Sequence, residues 1–371
     1  MRVLHYLDSV GRGGAEVLAL DVCRNARRFG VDVTIVAGSR GALTDEFAAS
    51  GVDFIQLERR RPVDLQLVRR LREIVREREI EIVHGHQAVD GLHLYLATRG
   101  MPSVRRVLTF HGFVPDLKNK LALKYLIPRM DANVVVSASL RDWLAEYSGI
   151  DLAGRSEIIH TAVDPARLEP TGSSIRRELG IDRAAPLIGM IGNFYRDPRK
   201  DQATVVRALP AIVGEFPEMH CVFVGAVEPG AEAKHRECVE LSSSDRRLAG
   251  RVHFTGPRRD VPDILRELDV FVFSSLQEGL PVAAAEAMLA GVPLVVSDIA
   301  PLVEATGGGR FAKVFRVGDE ASLAAAVREL LDNDERRRGL AAGAREFALE
   351  NFSIDAHLGR LASLYSSLIS R

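Results

Sequence analysis

The segment EGLPVAAAEAM, residues 278–288, sets two carboxylates, Glu278 and Glu286, on either side of seven residues with no chemistry of their own. Paired carboxylates can serve as acid and base across one glycosidic bond, or each can accept hydrogen bonds from a vicinal diol. The apolar run DVFVFSS ends just before them. Ser274, Ser275 and Glu278 therefore fall in a loop. Pro281 suits the first position of a helix running to Ala290 and stopped by Gly291, so Glu286 stands one to two turns inside it. Two carboxylates at different depths of a loop–helix unit do not flank one bond well, which favours two separate grips on hydroxyls. A solvent-exposed glutamate pair is the plain alternative.

Other polar clusters follow other apolar runs. IGNFYRDPRKD, 191–201, carries Arg196, Arg199 and Lys200 ahead of a helix from about Gln202. Cations gathered there could neutralise a diphosphate, where otherwise they form a solvated basic turn. DSVGRGGAE, 8–16, supplies Gly11, Gly13 and Gly14 before a helix starting near Ala15, and backbone N–H groups at a helix start favour anions. It departs from the dinucleotide pattern G-x-G-x-x-G, since Glu16 stands where the last glycine belongs. His84 and His86 of HGH, with His111 of FHG, end two successive runs. They could form a metal set, but no carboxylate has helical ligand spacing, so no metal is expected. His111 is the better candidate for a hydrogen bond to a substrate hydroxyl.

The elements that carry these clusters alternate regularly. Apolar runs at 3–7, 31–38, 52–57, 81–86, 104–110, 133–139 and 157–160 are separated by amphipathic stretches such as Asp64 to Arg78, and the pattern restarts with runs at 186–192, 219–225, 251–256, 269–275, 292–298 and 312–317. This predicts parallel strands covered by helices, in an α/β fold. At 371 residues the chain exceeds what one core usually supports, and 47% apolar residues suffice for two. The stretch 164–186, with three prolines and TGSS, reads as the connection. The expected domains are 1–170 and 171–352, with a last helix over about 353–371 free to pack back on the first. Each doubly wound domain opens a crevice at its strand C-termini, and facing crevices would hold substrates in a central cleft.

A net charge of −1 gives no field for nucleic acid. Cys23, Cys221 and Cys238 are odd in number and far apart, which argues against a disulfide framework and fits a reducing cytoplasm. No apolar run reaches the length of a membrane span, and the first residues break into glycines too early for a secretory leader.

EGLPVAAAEAM resembles the Glu-x7-Glu signature of retaining glycosyltransferases of family 4, which have the GT-B fold of two Rossmann-like domains. The GGAE turn, HGH, FHG, VVVSAS, HTAVD, Lys200, VFVG, VHFTG, DVPDILRELDVFVFSS and AGVPLVVSD follow in the family's order through nearly the whole chain. The resemblance implies a metal-independent hexosyltransferase, acting from an N-terminal acceptor-side domain and a C-terminal nucleotide-sugar-binding domain. It moves a sugar from a nucleotide diphosphate sugar to an acceptor hydroxyl with retention of configuration. The co-substrate expected is a UDP-sugar first and a GDP-sugar second, with no other cofactor. Glu278 would bind donor-sugar hydroxyls, Glu286 the ribose, and the Gly279 and Leu280 amides the sugar and phosphate. Gly13 and Gly14 would lie against the diphosphate, His111 would contact the sugar near the reaction centre, and Lys200 would meet the diphosphate. The chain departs from the family at Asn193, where an arginine is usual. Arg196 or Arg199 would supply that charge, Arg199 being preferred. Ser274-Ser275 replaces Pro-Ser, and Ile299-Ala300 replaces Gly-Gly after VVSD.

The acceptor is expected on the first domain, as a saccharide or lipid-linked saccharide for a bacterial surface polysaccharide or glycolipid. Residues 113–130 mix Lys118, Lys120, Lys124 and Arg129 with Leu121, Leu123, Leu126 and Ile127, and Arg59 to Arg61 adds a basic run. Such a surface can touch anionic headgroups at the inner face of a membrane, and an ordinary amphipathic helix is the alternative. A GT-B nucleotide-sugar epimerase, or a non-catalytic GT-B binding subunit, is the rival reading of the whole.

Overall fold

The computed structural model describes residues 1–370, which fold into two compact units. The first comprises Met1–Asp164 together with the segment from Asn351 onward, and the second is Pro165–Glu350. In the first unit, strands β1 (Arg2–Leu7), β2 (Asp32–Ala37), β3 (Asp53–Gln56), β4 (Ile82–Gly85), β5 (Arg105–Phe110), β6 (Ala132–Val135) and β7 (Ser156–Ile158) form a parallel sheet in the order β3-β2-β1-β4-β5-β6-β7. In the second, β8 (Leu187–Ile191), β9 (His220–Val224), β10 (Val252–Phe254), β11 (Val270–Phe273), β12 (Leu294–Ser297) and β13 (Lys313–Phe315) form a parallel sheet in the order β10-β9-β8-β11-β12-β13. Each of the thirteen apolar runs became a strand. Central strands such as β4 and β11 are buried along their whole length, the outcome expected when helices cover both faces.

Both sheets reverse their winding once, between β1 and β4 in the first unit and between β8 and β11 in the second. At such a switch point, the loops leaving adjacent strands diverge to opposite faces and open a crevice at the strand C-termini. The loops that carry most of the predicted clusters leave these strands, and His111 follows β5, the next strand along.

The chain passes between the units at Asp164–Pro165, ahead of the Thr171 boundary expected from sequence. TGSS is bound into the second unit. Asp263 accepts hydrogen bonds from the Thr171 and Gly172 amides and the Thr171 hydroxyl, and Asp260 accepts one from Ser173. The last helix, Ile354–Ile369, starts at Ser353, whose hydroxyl accepts from the Ala356 amide. It returns to the first unit and buries Leu358, Leu361, Leu364, Tyr365 and Leu368 in a core shared with Leu18 and Val22 of the helix Gly14–Asn25.

Candidate active site

In the second unit, the loop after β8 and the loop after β11 are joined by an ion pair. Lys200 Nζ bonds Glu278 Oε1, with both side chains about nine-tenths buried (9% and 12% exposed). The ammonium also lies 3.8 Å from the centre of the Phe273 ring, in a cation–π contact. Ser275 holds the arrangement together, since its hydroxyl reaches both Glu278 Oε1 and the Arg199 carbonyl. The Leu276 amide donates to that same carbonyl, and the Asp201 amide donates to the Ser274 carbonyl, so the two loops are locked backbone to backbone. Burial pulls the Lys200 pKa down, and the adjacent Glu278 carboxylate opposes that pull.

Glu286 stands in the helix Val282–Leu289, which Pro281 precedes as the capping residue, one position earlier than the sequence suggested. Its carboxylate pairs with Arg167 at 3.2 Å, the two side chains 15% and 30% exposed. Arg167 lies in the 3₁₀ turn Pro165–Leu168, 119 positions away in sequence, and nothing in its local sequence marks it as a partner. Alanines 284, 285 and 287 are buried and let this helix lie close to the sheet. Leu280 is buried as well.

Arg199 and Arg196 take different places. The Arg199 guanidinium is paired with Asp197 in its own loop, at 2.7 and 2.8 Å, and stacks over Tyr195. The exposed Arg196 packs its stem against Gly230. Asn193, at the position of the family's arginine, does structural duty, its side-chain oxygen accepting from the Ala226 amide at 2.9 Å. A Cβ on nearby Gly225 (φ 157°) would come within 2.4 Å of the Gly192 carbonyl, so the backbones of the β8 and β9 loops touch here. Ile299 caps the short helix Ala300–Ala305, and the preceding Asp298 accepts from the Val317 amide.

In the first unit, Gly13 caps the helix Gly14–Asn25, which begins one residue before the expected Ala15. A Cβ on Gly13 would meet the Glu16 carboxylate at 2.5 Å, so the turn has no room for a side chain as it stands. Asp8, at the end of β1, is bonded by both arms of Arg59. Arg59 is thus drawn out of the basic run expected at 59–61.

The histidines converge. His5 of β1 is in register with His84 of β4, and His86 and His111 follow the ends of β4 and β5. His5, His84 and His86 are buried, and their ligating nitrogens lie within 4.8 Å of one another. Sequence reading grouped His84 and His86 with His111 and passed over His5, which sits inside an apolar run. These nitrogens are engaged as hydrogen-bond partners of one another, of Thr109 and of Tyr365. Burial, with His357 nearby, pushes His5 and His111 down to about 3, and burial holds His84 and His86 well below the ordinary range. The cluster is neutral at physiological pH.

Two parallel doubly wound sheets of this kind are the GT-B architecture of nucleotide-sugar transferases. An Anabaena protein in complex with UDP, 19% identical, shares the fold with a TM-score of 0.84, covering 99% of this chain and 100% of that one. Residues 12–167 match the family model described as Glycosyltransferase Family 4, and residues 185–333 match that described as Glycosyl transferases group 1. The chain belongs to glycosyltransferase family 4 and is a glycosyltransferase. It is 26% identical over 253 residues to the lipopolysaccharide core biosynthesis mannosyltransferase of Rhizobium meliloti, covering 66% of this chain and 68% of that one. It is also 26% identical over 289 residues to the UDP-Gal:alpha-D-GlcNAc-diphosphoundecaprenol alpha-1,3-galactosyltransferase of Escherichia coli, covering 72% of each.

Proposed function

We propose that the second unit binds a nucleotide diphosphate sugar, a UDP-sugar first and a GDP-sugar second, and that the enzyme passes the sugar to a hydroxyl of a saccharide or lipid-linked saccharide with retention. The observation that carries this reading is the buried Lys200–Glu278 pair at the switch point, backed by the Arg167–Glu286 pair. When the glycosidic bond to the diphosphate breaks, negative charge grows on the leaving phosphate. Lys200, with Arg196 or Arg199 and the amides of Gly279 and Leu280, would meet that charge, so the step has cations of its own. Glu278 would hold sugar hydroxyls and Glu286 the ribose, with Lys200 and Arg167 keeping each carboxylate paired and aimed. In the first unit, His111 would hydrogen-bond the sugar, and the Gly13-Gly14 turn would admit a phosphate to the helix start. The departing phosphate would take the acceptor proton, so no separate general base is assigned. The UDP in the Anabaena structure and the UDP-sugar and lipid diphosphate in the Escherichia coli relative's name support the donor and acceptor classes. A thermal-shift screen of UDP, GDP and ADP and their sugars tests the donor. A UDP ligand at 100 times its Kd is expected to add about 2.7 kcal/mol of stability, and no shift with any nucleotide would sink the assignment.

The reading includes contact with anionic lipid. The helix Leu117–Leu126 buries Leu123 and Leu126 but leaves Leu117 (71%), Leu121 (60%) and Tyr125 (41%) exposed at four-residue spacing, with Lys118 and Lys124 exposed beside them. Among the described residues no helix is long and apolar enough to cross a membrane. An exposed apolar stripe beside lysines suits a helix lying in a headgroup layer on the cytoplasmic side. Flotation with vesicles containing phosphatidylglycerol is expected to carry the protein up, and Leu117→Ser with Leu121→Ser to release it. Equal recovery with neutral vesicles alone would remove the anionic part of the reading.

A further inference from the structure

Six side chains of the first unit join end to end. Thr109 Oγ1 lies 2.6 Å from His84 Nε2, and His84 Nδ1 lies 2.6 Å from the Tyr365 hydroxyl. That hydroxyl is 3.3 Å from His5 Nε2, His5 Nδ1 is 2.9 Å from His86 Nε2, and His86 Nδ1 is 3.0 Å from His111 Nε2. All are buried except His111, which is partly exposed.

A neutral imidazole has one N–H and one bare nitrogen, and a phenol has one O–H. Each inner ring of the chain therefore gives one hydrogen bond and takes one, whereas the Tyr365 oxygen could accept two. Were Tyr365 to accept from both neighbouring rings, its own proton would be buried without an acceptor among the described residues, so every proton points the same way along the chain, which leaves two states. Thr109 decides between them. If His84 donated to it, the Thr109 hydroxyl proton would be buried without an acceptor among the described residues, a costlier state than an unused lone pair. Thr109 therefore donates to His84, His84 to Tyr365, Tyr365 to His5, His5 to His86, and His86 to His111.

We propose that this chain fixes His111 with its bare Nε2 turned to His86 and its proton on Nδ1, making it a standing hydrogen-bond donor, and that Tyr365 is the positioning residue that enforces it. The role of that donor toward a sugar oxygen rests on the reading of the site given above. A small cavity, about 10 Å³ and lined by His5, His84, His86, His111, Thr109 and His357 among others, adjoins the chain. Removing the Tyr365 hydroxyl takes its donor away from His5 Nε2 and its acceptor away from His84 Nδ1. The direction of the chain beyond that point is then no longer imposed.

Nitrogen-15 labelling of histidine in the full-length protein tests this, because protonated and bare ring nitrogens have separate shifts. His5, His84, His86 and His111 are all expected as Nδ1–H tautomers near neutral pH, the form that free histidine side chains disfavour. Any of the four found as Nε2–H overturns the proposal. In Tyr365→Phe, His5, His86 and His111 are expected to become tautomer mixtures together, and His111 remaining wholly Nδ1–H would end the role of Tyr365. Thr109→Val opens the chain at its other end and serves if Tyr365→Phe does not fold, with mixtures again expected and an unchanged spectrum counting against the chain. Leu364→Ala, which truncates a buried neighbour on the same helix, should leave all four tautomers unchanged. A shift there would mean that loosened packing alone explains the effect and would overturn the proposal. With transfer assayed, Tyr365→Phe should lower kcat about 3- to 10-fold, the worth of one hydrogen bond, with donor KM unchanged. Mixed tautomers with unchanged kcat would overturn the part of His111 in transfer. Loss of the transfer reading itself would show as inactivity of the unaltered enzyme, a result on which the tautomer spectrum does not depend.

Discussion

The two units put their polar side chains at the same point of the same kind of sheet, yet the two clusters are electrostatic opposites. After β8 and β11 the second unit buries a formal ion pair, Lys200 with Glu278, and half-buries a second, Glu286 with Arg167 from the turn before β8. After β1, β4 and β5 the first unit buries neutral rings in a hydrogen-bonded row. A buried ion pair is costly to assemble and leaves one unpaired charge if either member is lost. Such a pair persists where a charged ligand can share it. A neutral row gives direction to hydrogen bonds without adding charge. The winding of the sheet fixes where the chemistry is placed, and the side chains decide what kind it is.

The harshest way to break the contrast is Glu278→Ala. It strips the carboxylate from a nearly buried Lys200 and removes one contact of Ser275. Steady-state kinetics are expected to show kcat lower by roughly 10²–10³, the scale for losing one preorganised group at a reacting centre. An unaltered kcat would detach this cluster from the donor. Glu286→Ala should act on binding, raising donor KM about 10-fold or more with a smaller effect on kcat, as expected for a charge-assisted hydrogen bond made equally in ground and transition states. Arg167→Ala should raise it less, because the carboxylate remains, and equal kinetics in all three variants would erase the division of labour.

The smallest effect sharpens the neutral side. His5 and His111 hold protons in the folded protein only near pH 3, against 6.5 for an ordinary ring. Below 6.5 the unfolded chain therefore binds more protons than the folded one, and acid favours unfolding. Stability from these rings is full above about pH 6.5 and is lost as the pH falls from there toward 3. Calorimetry should show the melting temperature level from about pH 8 to 7 and then falling by several degrees toward about pH 5. A level melting temperature down to that pH would mean that the rings are not held neutral.

Periodicity made the sheets legible, since runs buried on both faces stay apolar throughout and helices between them keep their stripe. Glu278, Glu286, Lys200 and His111 were legible as polar residues where apolar runs stop. The partners were not. Arg167 reaches Glu286 from a turn that reads as connector, and His5 and Tyr365 sit where side-chain periodicity asks only for something that packs. Arg199 drew attention by its place beside Lys200, but Asp197, two residues before it, already occupies its guanidinium. Pairings of this kind join residues by tertiary geometry or by a short loop's own turn, and neither leaves a spacing to read.

The return of the final helix to the first unit has a consequence for biosynthesis. The second unit is an insertion in the first, so residues 165–350 are complete in sequence before the segment from Asn351 leaves the ribosome. During that interval the helix Gly14–Asn25 lacks Leu358, Leu361 and Leu364, and His5 and His84 lack the Tyr365 hydroxyl. Domains generally fold in the order they are made. Here the part translated first is the part finished last, and its apolar face stays in need of protection until the last residues of the helix arrive.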